Sequence, residues 1–104
     1  MRGMTIPEAV VLVNEPLEDE AVERWERLID DAADIRPGQL VVDLRGAERI
    51  DETAVVMLLR THRRMMVSES RLVLRDPNAG VRDMLRHGRV DTVLDIETTF
   101  SSRD

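Results

Sequence analysis

Apolar residues recur along this chain with two spacings, and the alternation lays out its elements. Ala9-Val10-Val11-Leu12-Val13 is a short, unbroken and largely β-branched run, which predicts a strand, and Asn14-Glu15-Pro16 ends it. From Glu18 to Ala33 the spacing becomes three and four. Ala21, Val22, Trp25, Leu28, Ile29 and Ala32 form one stripe of an amphipathic helix whose first turn is acidic (Glu18, Asp19, Glu20). Pro37-Gly38 punctuates, and Leu40 to Gly46 predicts a buried strand. After Ala47-Glu48-Arg49 comes Ile50-Asp51, then a second helix from Glu52 to about Val67. Its buried side is expected to hold Val55, Leu58, Leu59, His62, Met65 and Met66, with Arg60, Arg63 and Arg64 facing out. Arg71 to Arg75 is a third strand. Asp76-Pro77 predicts a helix start, with Asp as N-cap and Pro at the first helical position. Val81, Met84 and Leu85 are the core contacts of that helix and Gly88 its C-cap. Thr92 to Ile96 predicts the last strand. Met1 to Glu8 reads as irregular or as an edge, since Pro7 excludes a central strand, and the polar run from Glu97 to Asp104 frays unless Phe100 docks.

Strands that alternate with helices predict an α/β layer, with helices covering a small sheet. At 104 residues the chain is expected to be one domain with its core between about residues 9 and 97. A chain of this size buries roughly two thirds of its unfolded surface, which suffices for a core without staples.

The chemistry concentrates at one corner. Asp51 follows a strand and a short loop and precedes an apolar helix, the position where a carboxylate accepts N–H groups of the first turn. Unpaired N–H groups and the positive dipole end would welcome an anion beside Glu52 and Thr53. A capped helix with an acidic first turn is also an ordinary structural feature, so the corner alone does not decide a function.

Composition removes several classes. There is no cysteine, hence no disulfide, thiolate metal site or cysteine nucleophile, in keeping with a reducing, cytoplasmic setting. No apolar run reaches the length of a membrane span, and Met1-Arg2-Gly3-Met4 lacks the apolar region of a signal peptide. A net charge of −6 argues against binding to nucleic acid or an anionic membrane. No Gly-rich phosphate loop and no Ser or Cys with a His and an acid in catalytic order is present, so no enzyme and no cofactor are expected. His62 and His87 lack ligand partners at useful spacing and read as ordinary histidines rather than metal ligands. Trp25 could anchor a partner, but its place on the apolar stripe favours core packing.

Asp43-Leu44 ending a strand, then Ile50-Asp51-Glu52-Thr53-Ala54 opening a helix, resembles the STAS domain, the fold of bacterial anti-sigma factor antagonists. The resemblance continues through Arg71-Leu72-Val73-Leu74 and through Val81-Arg82-Asp83-Met84-Leu85 with Gly88 and Val90, and covers roughly residues 10–96. It implies a STAS-like α/β fold, a small mixed sheet of four to five strands covered by about three to four helices. It also implies a protein-interaction module that regulates transcription by binding an anti-sigma factor or a kinase-like regulator, as a monomer or weak homodimer. The alternative on the same fold is a sensory or scaffold domain for a small ligand or a signalling complex. The resemblance places the partner-binding and regulatory residues at Asp51, Glu52, Thr53 and Ala54. The family's phosphorylated serine follows the Asp directly, and here that position is Glu52. Thr53 is the nearest possible phosphoacceptor; otherwise Glu52 holds a constitutive state or meets a different partner. Ala54 stands where the family has Gly, Glu69-Ser70 where a Gly-Gly is common, and of a Gly-Glu-Leu-Asp-like motif in the first loop only Glu15 is matched.

Overall fold

A computed structural model describes residues 7–99. The order is β1 (Glu8–Leu12), α1 (Glu20–Asp34), β2 (Gln39–Asp43), α2 (Glu52–Val67), β3 (Arg71–Arg75), α3 (Ala79–His87) and β4 (Asp95–Glu97). The strands lie side by side in the order β1-β2-β3-β4, and all three pairings are parallel. Parallel neighbours need a crossover, and each connection supplies a helix. Such crossovers are right-handed, so strands added in one direction put all three helices on one face of the sheet. The α/β fold with a four-stranded sheet is as expected. The mixed character is not seen: no antiparallel pairing occurs among the described residues.

The core lies between the sheet and that helical layer. Leu40, Val42, Leu72 and Leu74 point into it and meet Val22 and Ile29 of α1, Leu58 and Met65 of α2, and Val81 and Leu85 of α3. Val41 and Val73 alternate to the opposite face, as a two-residue period requires, and are buried there outside this cluster. Glycine is required at Gly46. A Cβ there would sit 2.8 Å from the Val13 carbonyl oxygen and 3.0 Å from the Asn14 Cα, so the loop leaving β2 can press against the end of β1.

Four expectations need correction. On α1, Leu28 is half-exposed rather than buried. On α2 the buried side is rotated. Met57 and Thr61 are buried, whereas Met66 is 62% exposed and His62 lies at the margin. Residues 54–59 are all apolar, so the pattern did not single out a face, and Thr61 hides its polarity by donating to the Met57 carbonyl at 3.0 Å. Asp76 does not cap α3. Asn78 does, accepting from the Val81 N–H at 2.8 Å, while the Asp76 carboxylate accepts the Thr99 N–H at 2.7 Å and the Thr99 hydroxyl. Finally, the last strand is Asp95–Glu97, because the N–H groups of Val93 and Leu94 both turn back to the Val90 carbonyl. The expectations for Met1–Ile6 and for Phe100 docking lie outside the described residues.

Two positions compared with the resembled pattern, one that departs from it and one that matches it, have a defined place in the structure. Glu69 has φ 60°, the left-handed conformation that favours the glycine usual near this point. Glu15 accepts from Trp25 Nε1 at 2.7 Å and from Arg24 at 2.9 Å, which ties the first loop to α1. Hydrogen bonds from Trp25 and then Arg24 hold the Glu15 carboxyl below its ordinary pKa. Trp25 is half-buried against the core.

Candidate functional site

The site is assembled at the C-terminal end of the sheet, where the loops after β1 and β2 meet. Leu17 and Ile50 form an isolated parallel bridge, fastened by the Leu17 N–H to the Arg49 carbonyl (2.9 Å) and the Asp51 N–H to the Leu17 carbonyl (3.2 Å). This small ladder brings the start of α1 against the start of α2. Leu17 and Ile50 are themselves buried, which fixes the ladder to the core.

Asp51 then serves both helices. It is the extended N-cap of α2, and its Oδ1 accepts the Ala54 N–H at 3.0 Å and the Thr53 hydroxyl at 2.6 Å. Its Oδ2 accepts the N–H of Asp19, 32 residues away in sequence, at 2.9 Å. Asp19 is the residue before α1 and has φ 55° with ψ −127°, outside the helical and extended regions that residues with side chains usually occupy. One carboxylate thus pins two helix starts. Burial alone would raise the Asp51 pKa. Hydrogen bonds from the Thr53 hydroxyl and the N–H groups of Asp19 and Ala54 outweigh it and hold the carboxyl below its ordinary value.

The four residues singled out by sequence divide into two pairs. Asp51 and Ala54 work inward: Ala54 is fully buried and contributes its N–H to the cap. Glu52 and Thr53 are exposed on the first turn of α2. The Thr53 hydroxyl is oriented by Asp51, whereas the Glu52 carboxylate forms no ion pair among the described residues.

Around the corner lies a groove of about 710 Å³ between α1 and α2, with Asp19, Glu20, Glu23, Glu26, Asp51 and Glu52 along it, together with Arg60, Val22, Val56 and Thr53. The sequence reading missed the α1 side of this groove and missed Val56, which is 55% exposed. The available signal was Leu17, a lone apolar residue between Pro16 and Glu18 that had to be buried somewhere. Further along the seam, Arg60 pairs with Glu26 at 2.7 Å, and Arg64 pairs with Asp30 at 3.0 Å and with Asp34. Two of the three outward arginines of α2 therefore hold it in register against α1, although exposed pairs of this kind contribute little stability. Among the described residues no group of three His, Asp or Glu side chains is arranged to hold a metal ion, and no helix is long and apolar enough to cross a membrane.

Comparison with known proteins agrees with this architecture. A crystal structure from Thermotoga maritima, of a protein carrying the proposed assignment of anti-sigma factor antagonist (TM1081), superimposes with a TM-score of 0.82 at 18% identity, over 89% of this chain and 80% of that one. The NMR structure of TM1081 gives 0.76 at 18% identity, over 88% and 74%. The anti-sigma factor antagonist SpoIIAA in its unphosphorylated form gives 0.75 at 18% identity, over 94% and 86%. At such identities the likeness establishes the fold. No curated protein matches by sequence. The family model described as "Mlab, STAS domain" matches residues 8–96, which include every described strand and helix up to Ile96 in β4, and the chain therefore belongs to the STAS domain family.

Proposed function

We propose that the protein is a regulatory interaction module that binds an anti-sigma factor or a kinase-like regulator through the Asp51 corner, in the manner of an anti-sigma factor antagonist, and performs no chemistry of its own. One observation carries this reading. The start of α2 is held rigidly from beneath by Asp51 while Glu52 stands exposed above it, at the position where the resembled antagonists carry a phosphorylated serine. A phosphoserine carries about −1.5 to −2 charges and three acceptor oxygens. Glu52 supplies one fixed negative charge in the same place, so the protein is set in a single state rather than switched. The engagement of the Thr53 hydroxyl by Asp51 supports a structural role for Thr53 rather than a phosphoacceptor role. The cytoplasm is the compartment in which such a partner would be met.

The decisive experiment is affinity capture from the native host with peptide identification, followed by titration of the recovered regulator against the purified chain. A sigma-factor regulator that binds directly supports the reading; direct binding of a nucleotide without any partner would count against it. Incubation with a cognate kinase and ATP, followed by intact-mass measurement, tests the switch. The native chain should stay unmodified and Glu52→Ser should gain one phosphate. A phosphate on native Thr53 would overturn the constitutive reading.

A second reading, a sensory or scaffold domain, is favoured by the size of the α1–α2 groove, which lies in the range of small-ligand sites. Its lining of carboxylates suits a cationic surface better than the mostly apolar ligands such sites hold, which is why the interaction module is preferred.

A further inference from the structure

Two depressions run along α2 and share its exposed crest. Glu52 and Val56 line both of them, and Val56 is 55% exposed between the two. On the α1 side, six carboxylates face a single guanidinium, Arg60, so that a net of −5 lines one groove in a chain whose formal net charge is −6. Arg60 is already engaged by Glu26 at 2.7 Å. Asp19, Glu20, Glu23 and Glu52 form no ion pair among the described residues, in contrast to the far half of the same seam, where Arg64 meets both Asp30 and Asp34. On the α3 side the lining changes character: the cleft of about 340 Å³ between α2 and α3 is walled mainly by Val55, Leu59, Met84 and Val90.

The helix dipole accounts for acids in a first turn. It does not account for a half-exposed valine between them and an apolar cleft, nor for the excess of carboxylates over cations in one groove. We infer that this surface receives an amphipathic, cationic helix of the protein partner, with apolar side chains in the α2–α3 cleft and Arg or Lys side chains across the α2 crest over the carboxylates. The inference rests on the reading of the corner as a protein-binding surface and adds what the partner must present. A packed helix lies about 8–10 Å from its neighbour's axis and is about 10–12 Å across, wide enough to touch both depressions from one seat. An extended segment would instead need an open sheet edge, which a surface made of α2 and its neighbours does not offer. Opposite charge on the two sides also steers encounter and fixes which way the helix lies.

The test uses the full chain, isotopically labelled, and three synthetic peptides of about 18 residues, five helical turns. The first has a leucine stripe flanked on one side by Arg and Lys. The second has the same composition with the stripe scrambled, and the third carries Gln in place of the cations. The expected result is that only the first binds measurably, with amide shifts concentrated at Glu52 to Arg60 and Met84. Its affinity should fall by about tenfold or more on Val56→Asp, as for loss of a central contact, and likewise on the double change Glu20→Gln, Glu23→Gln. Raising salt from about 50 mM to about 500 mM should weaken it further. Equal binding of the scrambled peptide, shifts elsewhere, or no binding of the first peptide would overturn the inference. Circular dichroism and thermal unfolding of the variants confirm that they fold. The regulator recovered in the capture experiment separates this inference from the reading beneath it. If that regulator binds with an affinity unmoved by both sets of changes, the docking geometry is wrong while the partner class stands.

Discussion

Two aspartates occupy similar places in this sequence and do different work. Asp51 and Asp76 each follow a buried strand, and each precedes a helix by a residue or a few. Asp51 caps its own helix and also holds the N–H of Asp19. Asp76 leaves capping to Asn78, adopts φ 53°, and turns its carboxylate to the N–H and hydroxyl of Thr99 beyond β4. A capping residue must be extended so that its side chain can fold back over the first turn. Asp51, at φ −114° and ψ −176°, meets that condition, and the left-handed Asp76 does not. The lesson is that the residue type supplies the acceptor, but the backbone conformation decides which donors it reaches.

The largest effect is expected from Asp51→Ala. It removes one capping bond, the bond to Asp19 and the Thr53 contact together, and should destabilise by about 2 kcal/mol, the upper end for a lost cap. The denaturant midpoint should fall at unchanged slope, and the Asp19 and Ala54 amides should lose protection from exchange together. Loss at Ala54 alone would show that the two helix starts are not coupled through this carboxylate.

The same difference should depend on pH. The folded Asp51 carboxyl lies below its ordinary value of 3.8. The stability it contributes is therefore present above the unfolded pKa and is lost as pH falls through the folded one. The gap between the native chain and Asp51→Ala should be constant near neutrality and shrink below about pH 4. A gap that widened on acidification would mean that the folded carboxyl titrates above its unfolded value rather than below it.

Asp76→Ala should cost about 1.5 kcal/mol, from two lost hydrogen bonds and a left-handed backbone less tolerant of Ala. It should loosen the Thr99 amide and leave the Val81 amide protected. Asn78→Ala should do the reverse, at about 1 kcal/mol, exposing Val81 and sparing Thr99. Crossed or shared effects in hydrogen exchange would merge the two roles that the structure separates. Smallest of all, Glu52→Gln should change stability by less than about 0.5 kcal/mol, because its side chain is exposed. A larger loss would make Glu52 part of the fold rather than part of the surface it presents.

These contrasts mark what was legible beforehand. The bounds of α2, the Asp51 cap, the strand at Arg71–Arg75 and the Gly88 end of α3 follow from features within a few residues, namely a capping acid, a short apolar run between polar residues, a glycine at a helix end and a change of period, and local interactions suffice to specify them. The resemblance that pointed to the STAS family was likewise carried by short stretches of chain. What the chain pattern alone did not decide was orientation and convergence. Residues 54–59 are apolar all round, so only the packed neighbours choose to bury Met57 and Thr61 and to leave Val56 and Met66 outside. The union of two helix starts on one carboxylate depends on Leu17 lying beside Ile50, a contact between distant segments that exists only once the sheet has formed. Periodicity reports which residues want to be buried; the tertiary structure alone supplies the partner that buries them, and with it the surface that remains exposed.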